Sequence, residues 1–232
     1  MGPSRACMSA LVALGLFASA GPGSATTSPA PALDRPAPSQ PGELDLATLL
    51  ARFATIPGLV APFHEEKRLS LLREPLVSRG VVYYAPPQRL ARVVDEPAPA
   101  RVVVDGQRLV FMSAGERGAI GLDAHPMLRV FVDSLRMLLH GDVDGLHETF
   151  HITFARVGPA KELGWSVLLR PREDPLRRFL TSIRIAGNDR AIRTFRIRER
   201  NGDETRMTFS TVDPKHRFSA REIADIFGTA GP

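Results

Sequence analysis

From residue 150 onward, apolar side chains recur at every second position through five successive segments: Phe150, Ile152 and Phe154; Trp165, Val167 and Leu169; Ile183 and Ile185; Phe195 and Ile197; Met207 and Phe209. Only an extended chain puts every second residue on one face, so this period commits the C-terminal half to β-strands. Arg184, Arg196, Arg198 and Arg206 hold alternate positions, so each strand is expected to have one apolar and one solvated face, as antiparallel sheets do. Gly187-Asn188-Asp189 and Asn201-Gly202 supply turns. The N-terminal half repeats the scheme. Val82 and Tyr84 alternate with Val81 and Tyr83, and Val102 to Val104 run through Asp105-Gly106 into Leu109 to Met112, a hairpin expected on a type I′ turn. The pattern predicts a mainly β fold with helices, an antiparallel meander curved into an incomplete barrel.

Two segments break the period. Leu46, Leu49, Leu50 and Phe53 recur at helical spacing until Pro57-Gly58, which predicts a short amphipathic helix at the start of the domain. A second helix is expected from about Pro126 to His140, with Asp123 ahead of it and Gly141 behind it as stop signals. Its polar residues Arg129, Asp133, Arg136 and His140 follow one narrow line. Met127, Leu128, Val130, Phe131, Val132, Leu135, Met137, Leu138 and Leu139 cover the rest of the circumference, a wider apolar face than a surface helix shows. Such a helix is either packed on two sides by core or forms a lid over a cavity that can empty.

Ahead of residue 26 the composition differs. Arg5 precedes an apolar or small run from Ala6 to Ala20 that ends in Ala18-Ser19-Ala20, which reads as a signal peptide over residues 1–20, with a second cut conceivable after Ala25. The run is too short to span a membrane. Cys7 stands at the start of that run, ahead of its hydrophobic core, and Ser4-Arg5-Ala6 lack the apolar lead-in of a lipid-modified cysteine, so the mature chain is expected to lack cysteine, disulfide and lipid anchor. Residues 21–42 are rich in Pro, Ala, Ser and Gly and predict a disordered tether. Residues 43–232 then form one domain. Net charge is +5 over the whole chain, one less without Arg5, enough to favour anionic membrane surfaces or acidic partners. An exported chain is not expected to bind nucleic acid.

His147-Glu148-Thr149-Phe150-His151 matches H-E-x-x-H, which on a helix binds zinc beside a general-base glutamate. The surrounding HETFHITFARV is β-branched and aromatic. Read as a strand rising about 3.3 Å per residue, it would hold the histidines roughly 13 Å apart. Glu162 and Glu173 are third-ligand candidates, but neither lies in a helical repeat that would present it. Asp142-Val143-Asp144-Gly145 lacks the remaining ligands of a calcium loop and is expected to be a turn. Neither a G-x-S-x-G motif nor a phosphate-cradling glycine loop occurs. No metal, cofactor or catalytic residue is therefore predicted, and the chain reads as a non-enzyme.

The stretches Phe63-His64-Glu65-Glu66, Arg73 to Gly80 and Tyr83-Tyr84-Ala85-Pro86-Pro87, the strand–Asp105-Gly106–strand hairpin and the step from Gly141-Asp142 to Phe150 together resemble the LolA family of periplasmic lipoprotein carriers, more closely its LolA-related branch, over about residues 43 to 212. The resemblance implies a LolA/LolB-like incomplete antiparallel barrel closed by a helical lid around an apolar cavity for acyl chains. It implies a soluble periplasmic carrier, expected as a monomer, that takes its cargo from an inner-membrane exporter to an outer-membrane acceptor. Where the family has Arg-Pro, with an arginine that latches the lid, this chain has Pro86-Pro87, and the segment after Val212 is short. The resemblance implies as cargo a lipoprotein or a related glycolipid or polyene lipid. Leu90 has the spacing of a family cavity residue. Parity alone adds Val82, Tyr84, Phe131, Leu135, Phe195, Ile197, Met207 and Phe209 as ligand-binding candidates. The alternatives are a non-carrying interaction module of the envelope and a zinc metallopeptidase acting through His147, Glu148 and His151.

Overall fold

The computed structural model describes residues 44–113, 116–157, 164–188 and 191–228, the side chains of Pro126 and Met127 excepted. The signal peptide, the tether, Cys7, the Met127 side chain, Glu162 and Asp189 lie outside the described residues.

Helix α1 (Leu46–Ala54) starts where the Asp45 side chain accepts a hydrogen bond from the Thr48 amide, and it buries Leu49, Leu50 and Phe53. Six strands follow as a meander: β1 (Leu59–Arg68), β2 (Leu76–Ala85), β3 (Arg89–Glu96), β4 (Ala100–Asp105), β5 (Arg108–Ser113) and β6 (Glu116–Gly121). A single 3₁₀ turn (Leu122–Ala124) then leads into α2 (Pro126–His140) and α3 (Val143–Thr149). The second meander is β7 (Phe150–Val157), β8 (Gly164–Pro171), the one-turn helix α4 (Leu176–Phe179), β9 (Leu180–Asn188), β10 (Ala191–Glu199) and β11 (Glu204–Phe209). Helix α5 (Ala220–Phe227) closes the described chain on a capping box between Ser219 and Glu222.

All eleven strands form one sheet in the order β6-β5-β4-β3-β2-β1-β11-β10-β9-β8-β7. Each pairing is antiparallel, and the two meanders join where β1 pairs with β11, Phe63 opposite Phe209 and Glu65 opposite Met207. The sheet does not close, because β6 and β7 remain its two edges. It curls around α2. That helix sends Phe131 and Leu138 into a core with β8, β9 and β10, and Leu128 and Val132 into a second core with β4 and β5. The expected mainly β, incomplete barrel with a helix across its opening is the observed fold.

Four local expectations need correction. Strands β4, β5 and β8 are buried on both faces, through Val102 to Val104, Leu109 to Phe111 and Trp165 to Leu169, so one solvated face per strand does not hold there. For β4 the reason is α5, whose Phe227 joins Ala85, Ala91 and Val103 on the outer surface. Asp105 pairs with Arg108, so the hairpin turn is centred on Gly106 (φ 56°) and Gln107, one residue later than expected. Asp123 does not cap α2. It belongs to the 3₁₀ turn and pairs with Arg129 at 2.8 Å, while His125 takes the N-cap position. Asp142 to Gly145 is a helix start, not a free turn: the Asp142 carboxylate accepts from the Gly145 amide and opens α3. Gly141, with φ of 76°, ends α2 in the left-handed region that favours glycine.

Candidate functional site

Between the sheet and α2 lies a cavity of about 160 Å³. Its wall is built rung by rung from the strand register, because residues paired across an antiparallel sheet share a face. One rung runs Leu59, Tyr84, Leu90, Val104 and a second Ala61, Val82, Arg92, Val102. A third runs Ile185, Phe195, Met207, Glu65 and Ser78, and a fourth pairs Ile197 with Thr205. All of these but Ser78 line the cavity, with Phe209, Ile192 and Val212. Helix α2 roofs it with Phe131, Val132, Leu135, Leu138 and Leu139. All nine ligand-binding candidates read from the sequence, Val82, Tyr84, Leu90, Phe131, Leu135, Phe195, Ile197, Met207 and Phe209, thus meet around one space. Helix α2 is packed by core towards two parts of the sheet and roofs the cavity between them.

Three polar residues in the wall, Glu65, Arg92 and Thr205, were missed. The signal for Glu65 was present: it has the parity of Ala61 and Phe63, which are buried. Glu65 and Arg92 form an ion pair of 2.8 Å, with side chains only 7% and 11% exposed. Ser78 donates to the same Glu65 oxygen at 3.1 Å, and the Arg92 guanidinium lies 4.8 Å from the centre of the Phe63 ring. Burial pulls the pKa of Arg92 below its ordinary value, with Glu65 opposing, and burial does the same to Lys67, the next inward residue of β1. Tyr84, sealed against the cavity, has its phenol pushed up to about 12 by desolvation.

A profile of the family described as outer membrane lipoprotein carrier protein LolA matches residues 55–222. The chain belongs to the LolA family. No curated protein matches it significantly. Among solved structures, a LolA superfamily protein from Nitrosomonas europaea aligns with 78% of this chain and 97% of its own, at 10% identity and a TM-score of 0.42. Lipoprotein LppX from Mycobacterium tuberculosis aligns with 71% of this chain and 93% of its own, at 8% identity and a TM-score of 0.39. The MucA/MucB complex from Pseudomonas aeruginosa aligns with 73% of this chain, at 14% identity and a TM-score of 0.41, and this chain spans only 57% of the matched chain.

In this LolA-family chain the contacts that hold the helix over the cavity start from the helix. Arg136 of α2 donates from Nη2 to the carbonyls of Gln88, at 3.3 Å, and Gly106. His140 Nε2 meets the carbonyl of Pro87, and its ring lies 6.4 Å from that of Tyr84. The β2–β3 turn, where Pro86-Pro87 stands, thus supplies acceptors and the lid supplies the nitrogen atoms that meet them.

The H-E-x-x-H segment is not a strand throughout. His147 lies in the last turn of α3, and β7 begins only at Phe150, so His151 is on the strand. The separation derived from strand geometry therefore does not apply. The two histidines are not one turn apart on a helix, because the backbone turns extended at Phe150 (φ −131°, ψ 150°). Both are exposed. Among the described residues no group of three or more His, Cys, Asp or Glu is placed to hold a metal ion. No helix among them is long and apolar enough to cross a membrane.

Proposed function

We propose that this protein is a periplasmic carrier that takes the acyl part of a lipoprotein or related lipid into the cavity beneath α2 and shuttles it between the inner and outer membranes, without catalysing a reaction. The observation that carries this reading is the wall itself: large apolar side chains from seven strands and the lid converge on one space. A cavity with a predominantly apolar wall admits an apolar guest. Each methylene moved into it from water contributes about 0.8 kcal/mol, so a chain of about ten methylenes gains roughly 8 kcal/mol before ordering costs. Longer chains are accommodated by outward movement of α2. Residues 1–20 act as the export signal and 21–42 as a tether, and an inner-membrane exporter and an outer-membrane acceptor are the partners.

The non-carrying interaction module remains the second reading, favoured by the tip of the β1–β2 hairpin, where Leu71 is 80% exposed beside exposed Leu72, Leu76 and Val77. Leu135→Glu separates the two readings. A charge on the inner face of the lid is desolvated whenever cargo binds and costs several kcal/mol, whereas water can solvate it in the empty site. The variant is expected to keep its circular dichroism spectrum and to lose binding of an acyl probe. Wild-type affinity in the folded variant, or no lipid extracted from the native protein by mass spectrometry, would sink the carrier reading.

A further inference from the structure

The cavity wall is apolar except at Tyr84, Glu65, Arg92 and Thr205, and among these Glu65 is a buried carboxylate that faces the space. Oε1 of Glu65 takes the hydrogen bonds of Arg92 and Ser78. Oε2 is buried and meets no hydrogen-bond donor among the described residues. An acceptor left in this condition carries the full penalty of its lost hydration, and an ordinary hydrocarbon chain lying against it would not relieve that penalty. We propose that the cargo is an acyl lipid bearing a hydroxyl group, and that this hydroxyl donates to Glu65 when the apolar part fills the cavity. This inference rests on the carrier reading and adds the chemical class of the cargo.

The charges nearby select among donors. A carboxylate or phosphate on the cargo would be repelled by Glu65 at contact. An ammonium group would meet the Arg92 guanidinium, which already pairs with that carboxylate at 2.8 Å, and Lys67 stands one inward position further along β1. A neutral O–H supplies a proton to Oε2 without disturbing the ion pair. Thr205 lines the same end of the cavity, opposite Lys67 and beside the Glu65–Met207 pair, and it gives the hydroxyl oxygen a polar neighbour.

The test compares two probes of equal chain length, decanol and decyl methyl ether, which differ in the O–H donor but both keep an oxygen acceptor. Their affinities for the full chain are read by displacement of N-phenylnaphthylamine. A hydrogen bond to a charged acceptor discriminates by about tenfold or more, so decanol is expected to bind at least about tenfold more tightly than the ether. In Glu65→Met/Arg92→Met, which replaces the ion pair by apolar side chains of similar length and avoids an unpaired buried charge, the ratio of the two affinities is expected to fall to about one. Equal affinities in the wild type, or a preference that survives in the double variant, would overturn the hydroxyl assignment and leave the carrier reading standing. Failure of both probes to bind the wild type would overturn both. Equal wild-type affinities overturn the assignment whether or not the double variant folds.

Discussion

Tyr83 and Tyr84 are neighbours on β2 and face opposite sides of the sheet. Tyr84 lines the cavity, and Tyr83 packs its ring 6.4 Å from Phe218 on the outer surface. Desolvation raises both phenols, Tyr84 to about 12. They are the chain's two tyrosines, so a phenolate absorbance titration reads them without interference, and in the folded protein both are expected to titrate above the ordinary value of about 10. The linkage has a definite sign. A raised pKa means the folded state holds its proton longer than the unfolded chain, so the contribution is complete below about 10 and lost as pH rises through about 12. Tyr84→Phe should flatten that alkaline loss of stability; an unchanged profile would assign it elsewhere. The Glu65–Arg92 pair gives a second residue-scale expectation. Arg92→Met alone leaves a buried carboxylate without its counter-charge and should cost about 3–5 kcal/mol by urea unfolding, whereas the double methionine variant should cost far less.

Among the elements, α2 has the most to do. Its apolar face is shared between two cores and a cavity, while Arg136 and His140 fix its C-terminal half to the turns after β2 and β4. Removing the guanidinium in Arg136→Ala takes charged donors from two carbonyls, each such bond contributing about 1.5–3 kcal/mol. The expected result is faster amide exchange along α2 and faster release of an acyl probe. Exchange rates in α2 that match the wild type would show that packing alone holds the lid. Helix α5 is governed by its start. Ser219 accepts from the Glu222 amide at 3.2 Å, and Glu222 accepts from the Ser219 amide at 2.8 Å. Ser219→Ala should therefore cost about 1 kcal/mol, read as a lower urea midpoint.

At the scale of the whole molecule, the seam between β1 and β11 joins the first meander to the last strand, and the third rung of the cavity wall crosses it from Met207 to Glu65. A guest in the cavity touches strands from both meanders and the lid, so it stabilises the folded chain as a unit. At a free concentration one hundred times its Kd, a bound probe should add about 2.7 kcal/mol, a rise in Tm of about 5–11 °C for a domain of this size. A thermal scan with decanol measures it. No concentration-dependent shift would mean that the cavity does not take the probe.

Much of this architecture is legible in the order of residues alone, for a local reason. Covalent geometry alternates side chains across a strand, so the parity of Phe195, Ile197, Met207 and Phe209 already puts them on one face, and Pro126 with Gly141 already bounds α2. What local pattern does not supply is partnership. The pairing of β1 with β11, the burial of Val103 under α5, and the helix-to-strand step that divides His147 from His151 depend on contacts between residues far apart in the chain or on how neighbouring elements pack. Glu65 is the sharpest case: its parity says inward, but a lone charge reads as solvated until its counter-ion is known. Arg92 becomes that counter-ion only when β2 lies between the strands that carry them. Sequence by itself determined which residues of each strand share a face, because that follows from the backbone. The tertiary structure alone decided that the inward faces leave a space and that a carboxylate stands in its wall, because both depend on how distant side chains fill, or fail to fill, a shared volume.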